Sequence, residues 1–162
     1  MDRSGKQRLI LAGISAFLLV WLLLLWPSFV GHLRAAILIQ RLSGQHLLYV
    51  EELLRAPLET TSIEIPSAAG PIQAHLYRRA SSKRGPGVIL IHGFSPVGDQ
   101  YPELIKAAES LATTGFTVLT PTIPHLTKYI VDNQSVEMIG DSTNWLARFT
   151  GRRVTVIGIS FS

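Results

Sequence analysis

The chain has 162 residues, 47% of them hydrophobic and 16% charged, with a formal net charge of +4 and no cysteine. That composition excludes global disorder, which needs low hydrophobicity and high net charge. The missing cysteine excludes a disulfide framework, thiolate metal sites, iron–sulfur clusters and a cysteine nucleophile. The charge is unevenly placed: residues 1–56 carry six Lys/Arg against three acids, residues 57–162 nine against eight. The basic doublets Arg78-Arg79, Lys83-Arg84 and Arg152-Arg153 fall at predicted strand ends or loops and read as solvated edges. No nucleic-acid partner is expected, because such a surface clusters its basic residues on the folded domain.

Residues 1–8 form a short charged tail. Leu9–Trp26 is an uncharged run of 18 residues, and Phe29 and Val30 extend the span to 9–30. As a helix the run is about 27 Å long, close to the ~30 Å hydrocarbon core of a bilayer. Trp21 and Trp26 fall toward its end, where indoles favour the membrane interface. A cleaved signal peptide has a shorter apolar region and a small-x-small site, which WPSFVGHL does not offer. The run is therefore read as an uncleaved anchor and the lipid bilayer as a partner. Three basic residues precede the span (Arg3, Lys6, Arg8) and two follow it closely (Arg34, Arg41). That bias puts the N-terminus in the cytoplasm and the remainder outside it.

Residues 31–58 read as a linker helix, stopped at Pro57 because the residue before a proline disfavours helix. From 59 onward strands and helices alternate. Thr60–Ile65 and Ile72–Tyr77 are short strands around a turn-like Ser67–Pro71 link. Val88–Ile91 (VILI) reads as a strand buried on both faces. Residues 102–114 form a helix with Pro102 in its first turn, an apolar face of Leu104, Ile105, Ala108, Leu111 and Ala112, and Gly115 at its end. Thr117–Leu119 is a strand followed by a loop, Thr120–Thr127. Residues 135–149 form a helix with Met138, Ser142, Trp145, Leu146 and Phe149 on one stripe and Gly151 beyond it. Val154–Ile157 (VTVI) is the next buried strand. Helices between buried strands imply right-handed crossovers and a mostly parallel α/β sheet.

Two motifs carry chemistry. His92-Gly93-Phe94-Ser95 follows VILI directly, and Gly158-Ile159-Ser160-Phe161-Ser162 follows VTVI. In an open parallel sheet, ligands bind beyond the carboxyl ends of the strands, where both motifs fall. A serine hydroxyl becomes a useful nucleophile only when a base takes its proton and donors hold the oxyanion. A sharp strand-to-helix turn lifts the serine above the sheet and offers the next backbone N–H to the developing charge. No H-E-x-x-H spacing and no phosphate-binding glycine motif occurs, so neither a metal nor another cofactor is expected. Of the upstream histidines His75, His92 and His125, only His125 is placed near the carboxyl edge apart from His92 of the first motif. The sequon Asn133-Gln134-Ser135 starts a helix and carries no reading.

The succession strand–His-Gly, helix, strand, helix, strand–Gly-x-Ser resembles the first half of an α/β-hydrolase. It is most similar to the bacterial serine aminopeptidase-type and esterase-type members, over roughly residues 60–162. The resemblance implies Ser160 as nucleophile, with the backbone N–H groups of Phe94 and Phe161 as oxyanion donors. Gly93 and Gly158 then support the two turns, and His92 is structural. The family pattern G-x-S-x-G is departed from at Ser162, which leaves a second register with Ser162 as nucleophile. In this family the acid and the catalytic histidine follow the serine, so the triad is expected to be incomplete in these 162 residues. The function implied is a membrane-anchored serine hydrolase acting on an ester or amide of a small molecule or peptide. The alternative is a non-catalytic binding or scaffold protein of the same fold.

Overall fold

The computed structural model describes residues 57–80 and 85–159, together with helical positions 20, 21, 24–26, 28, 32, 35, 36 and 39. Two compact units are distinguished, Met1–Ile39 and Gln40–Ser162. In the first, the described positions are helical and exposed, and the His32 ring contacts the Ser28 carbonyl at 2.7 Å through Nδ1. Most of the Leu9–Trp26 run lies outside the described residues. Among the described residues no helix is long and apolar enough to cross a membrane.

In the second unit the chain runs β1 (Leu58–Ile65), β2 (Ile72–Arg79), β3 (Gly87–His92), α1 (Pro102–Thr113), β4 (Thr117–Pro121), α2 (Asn133–Thr150) and β5 (Val154–Ile159). Short 3₁₀ turns sit at Gly98–Gln100 and Leu126–Lys128. The strands outrun the apolar runs that predict them, and β1 starts at Leu58, inside the predicted linker. A ladder is a backbone property, so it continues through polar Arg78, Arg79 and Thr120 wherever a partner strand lies alongside.

The sheet order is β1-β2-β4-β3-β5. The β3–β4 and β3–β5 ladders are parallel, whereas β1–β2 and β2–β4 are antiparallel. This corrects the expectation of a mostly parallel sheet. The link after β1 is too short for a crossover; it is a tight turn closed by the Gly70 N–H on the Ser67 carbonyl at 3.1 Å, with Gly70 at φ +111°. Only β3–α1–β4 and β4–α2–β5 have a helix long enough to bring the chain back in the same direction.

Alternation along β3 builds two cores. Val88 and Leu90 join Leu104, Ala108 and Ala112 of α1 on one face, and Ile89 and Ile91 join Met138 and Leu146 of α2 on the other. The strand is buried along its whole length because it lies between β4 and β5 under both helices. At its start Gly87 meets β5 closely: a Cβ there would stand 2.9 Å from Val154 Cγ2. Asp132 caps α2, accepting from the Ser135 N–H at 2.9 Å and the Ser135 hydroxyl at 2.8 Å. Gly151 closes the helix in the left-handed conformation at φ +68°, as its position after the apolar stripe predicts. The expectation that β5 is buried on both faces is overturned. Val156 is 49% and Ile157 38% exposed, because β5 is the edge of the described sheet.

Candidate active site

Register brings the two motifs together. In the parallel β3–β5 ladder, Ile91 pairs with Gly158 and His92 with Ile159. The loop after β3 and the segment after β5 therefore leave the same edge of the sheet from adjacent strands. A cavity of about 390 Å³ opens there. Ile91, His92, Gly93 and Phe94 line it from β3 and its loop, Gly158 and Ile159 from β5, and Leu126 from the segment after β4. Of the six described residues of the two motifs, five, His92, Gly93, Phe94, Gly158 and Ile159, thus share one cavity, and Ser95 does not line it. Ser160, Phe161 and Ser162 lie outside the described residues. Among the described residues nothing accepts a hydrogen bond from the Phe94 N–H, which is the condition an oxyanion donor must meet.

His92 is 1% exposed and both of its ring nitrogens are engaged. Nε2 accepts from the Ile123 N–H at 3.0 Å. The proton must then sit on Nδ1, which donates to the Gly93 carbonyl at 2.8 Å. The ring is a neutral strut between the end of β3 and the segment after β4. With no nitrogen left over, it has no capacity to serve as a base.

The loop after β3 is fixed from behind by Asp99. Its side chain is nearly buried. Oδ2 accepts from His75 Nδ1 of β2 at 2.6 Å, and Oδ1 accepts from the Thr122 hydroxyl at 2.5 Å and from Gln100 Nε2 at 3.4 Å. Gly98, at φ +57°, permits the approach, since a Cβ there would stand 3.0 Å from Thr122 Cγ2. On β2, two residues from His75, the Tyr77 phenol is pushed above its ordinary pKa by burial; its hydrogen bond with Thr120 opposes this and the charges of Asp99 and Glu109 add to it.

His125 lies in the loop after β4, as expected, and pairs with Asp132: Nδ1 to Oδ2 is 2.6 Å. The Asp132 carboxyl is held below the ordinary carboxylate range, first by the Ser135 backbone N–H, then by the Ser135 hydroxyl and His125. Between these two residues Leu126 reaches the cavity, and Tyr129 (φ +64°, ψ +27°) brings its ring to 5.7 Å from that of Phe94. Sequence reasoning missed Leu126, Tyr129 and Ile159. The first two stand in a loop with no periodic pattern, and the third was taken as part of the turn.

A family model described as "DUF364: Putative heavy-metal chelation" matches residues 81–161. No curated protein matches the chain. Among solved structures, the chain is similar to a hyperthermophilic esterase from the archaeon Pyrobaculum calidifontis, with 23% identity and a TM-score of 0.52 over 80% of this chain and 42% of that one. It is also similar to brefeldin A esterase, a bacterial homologue of human hormone-sensitive lipase, with 18% identity and a TM-score of 0.54 over 77% and 40%. A third is an α/β serine hydrolase without lid from Xanthomonas campestris, with 16% identity and a TM-score of 0.52 over 64% and 52%. At these identities the likeness establishes the fold, that of the α/β-hydrolases. The chain spans about half the length of these proteins or less.

The description of the family can be set against the side chains present. Heavy-metal chelation asks for several soft or borderline ligands around one point. Among the described residues no group of three or more His, Cys, Asp or Glu side chains comes together for a metal ion. His75–Asp99 and His125–Asp132 are separate pairs, and His92 has no free nitrogen. The described residues do not fit a chelating centre.

Proposed function

We propose that this chain, which belongs to the family DUF364 and has the α/β-hydrolase fold, carries the nucleophile and oxyanion elements of a membrane-anchored serine hydrolase. The observation that carries this reading is the β3–β5 register, Ile91 with Gly158 and His92 with Ile159, at a cavity where the Phe94 N–H has no acceptor among the described residues. Ser160 follows Ile159, the last residue of β5, directly in the sequence.

In the proposed reaction Ser160 Oγ attacks an ester or amide carbonyl, and its proton passes to a histidine base. The Phe94 and Phe161 N–H groups hold the oxyanion. Collapse expels the alcohol or amine, which takes the proton back, and leaves an acyl-serine. Water then repeats the sequence and releases the acid. His92 is engaged on both ring nitrogens, and neither His75 nor His125 is among the described residues that line the cavity, so the base and the carboxylate that orients it are assigned outside the described residues. Leu9–Trp26 anchors the protein in the bilayer, with the domain outside the cytoplasm.

Serine in place of glycine at position 162 favours a second reading, a catalytically silent scaffold of the same fold. Labelling of the full-length protein with an uncharged alkyl fluorophosphonate separates the two. The hydrolase reading expects stoichiometric labelling that disappears in Ser160→Ala and persists in Ser162→Ala. A folded wild-type protein that takes no label overturns it and leaves the scaffold.

A further inference from the structure

We propose that Phe94 and the loop 125–132 form a binding wall for an uncharged apolar group, an aliphatic or aryl acyl chain carried by the substrate. The class of substrate rests on the hydrolase reading; the apolar site itself does not.

The cavity sets the chemistry of the ligand. Ile91, Phe94, Leu126 and Ile159 give it apolar walls, and none of the described lining residues is charged. Among the described lining residues the one polar side chain, His92, is hydrogen-bonded on both nitrogens and turns no donor or acceptor inward. An ionised or strongly polar group entering here would lose water and find no side-chain partner, which is costly. An apolar chain loses nothing by the exchange. The volume of about 390 Å³ lies in the range of small-molecule pockets.

The wall continues outside the cavity. Tyr129, Ile130 and Val131 are consecutive and 61%, 48% and 68% exposed, and the first of them meets Phe94, itself 50% exposed. A single exposed apolar residue needs no explanation, but a contiguous apolar patch at a cavity mouth does. The patch is continuous with the candidate oxyanion donor, because Phe94 supplies both the N–H and the ring that meets Tyr129 at a tilt of 32°. A chain lying on it keeps its carbonyl end beside that donor.

The loop is built to hold this surface in place. His125 and Asp132 clamp its two ends at 2.6 Å. Inside the clamp, the N–H groups of Lys128 and Ile130 both donate to the His125 carbonyl, at 3.0 and 2.9 Å, and that of Tyr129 donates to the Leu126 carbonyl at 3.1 Å. Tyr129 adopts the left-handed conformation that glycine or asparagine would take more easily. The bulky ring is kept at a position where the backbone alone would favour a smaller residue, and its neighbour in space is Phe94.

Two readouts on the full-length protein test this. The first is fluorescence titration with N-phenyl-1-naphthylamine, an uncharged apolar probe. The difference between wild type and Tyr129→Ala or Leu126→Ser isolates the wall from binding to the N-terminal apolar run. The expected result is at least a tenfold weaker saturable component in both variants. The second is kcat/KM for 4-nitrophenyl hexanoate, acetate and hemisuccinate. Wild type should prefer hexanoate to hemisuccinate by at least tenfold, and Tyr129→Ala should lower the hexanoate-to-acetate ratio at least tenfold. Damage to the fold lowers both esters together and leaves that ratio alone. If the probe component is absent from wild type or unchanged in both variants, the wall is refuted. If hemisuccinate is turned over as fast as hexanoate, the uncharged-ligand assignment is refuted. If the probe result holds while Ser160 takes no fluorophosphonate, the hydrolase reading fails and the apolar site stands.

Discussion

Replacing His92 with phenylalanine keeps a ring of similar size in the buried slot and removes both of its hydrogen bonds. The Ile123 N–H, in a residue with no exposed surface, loses its acceptor at 3.0 Å, and a buried donor left unpaired costs about 1–3 kcal/mol. The Gly93 carbonyl also loses its donor; water reaches that half-buried position, so this adds only about 1 kcal/mol. The expected loss is about 2–4 kcal/mol, a large share of a typical domain stability of about 5–15 kcal/mol. Urea unfolding of the full-length protein would show it as a lower midpoint at unchanged slope. Amide exchange at 120–126 should accelerate selectively, because His92 is what holds the Ile123 N–H. The opposite pattern would refute the reasoning: stability within about 0.5 kcal/mol of wild type and normal exchange, with hydrolysis abolished. His92 would then be acting on substrate and not as a strut.

Two further substitutions test the clamps behind the site. Asp99→Ala removes a nearly buried carboxylate from His75, Thr122 and Gln100 at once. Losing the charged acceptor of part-buried hydrogen bonds costs about 1.5–3 kcal/mol, so a fall of that order in calorimetric stability is expected; a loss below about 1 kcal/mol would mean that the pair is not formed. Asp132 has a folded-state pKa below its unfolded value. Its contribution is therefore fully present above the ordinary carboxylate range and is lost as pH falls through the lowered pKa. Asp132→Asn should melt below wild type at neutral pH, and the difference should shrink with acidification through that window. A difference that is constant with pH would show that the carboxylate charge adds nothing to the cap.

Much of the architecture could be read from local pattern. Glycine after an apolar stripe marks the ends of both helices, because a left-handed C-terminal residue is a local requirement. VILI reads as a doubly covered strand because the two cores it feeds differ only by alternation. Direction and order were harder. That β3 lies between β4 and β5 depends on pairings between distant segments, and no residue of VILI specifies its neighbours. The exposure of Val156 and Ile157 has the same origin: their apolarity was legible, and their place at the edge of the described sheet was not. At the site, the glycines and His92 stood out through spacing. His75 and Asp99 did not, since 24 residues separate them and only the sheet brings them together. Tyr129 gave no signal at all, because a tyrosine in the left-handed region contradicts its own local preference.

The family description and the fold can be set against each other by measurement. A structural zinc site contributes about 10–16 kcal/mol of apparent binding free energy, which requires three or four ligands converging on one ion. The described His–Asp pairs supply two each, and in each pair Nδ1 of the histidine already meets the carboxylate. A metal that used both groups of a pair would have to take the carboxylate away from the loop it holds, one that used the free Nε2 alone would have a single ligand there, and no cysteine in the sequence compensates. The expected outcome is that dialysis of the full-length protein against zinc, copper, nickel or cadmium leaves no stoichiometric ion bound more tightly than about 1 μM. Melting should not shift with added metal either, because an ion that binds only the native state raises stability through mass action. One ion per chain at submicromolar affinity, lost in His75→Ala or His125→Ala, would show that a pair recruits further ligands in the full-length protein. Chelation would then be a property of this site, and the apolar wall would need to be reconsidered beside a bound cation. Metal-independent stability together with labelling at Ser160 would place this member of the family with the hydrolases in chemistry as well as in fold.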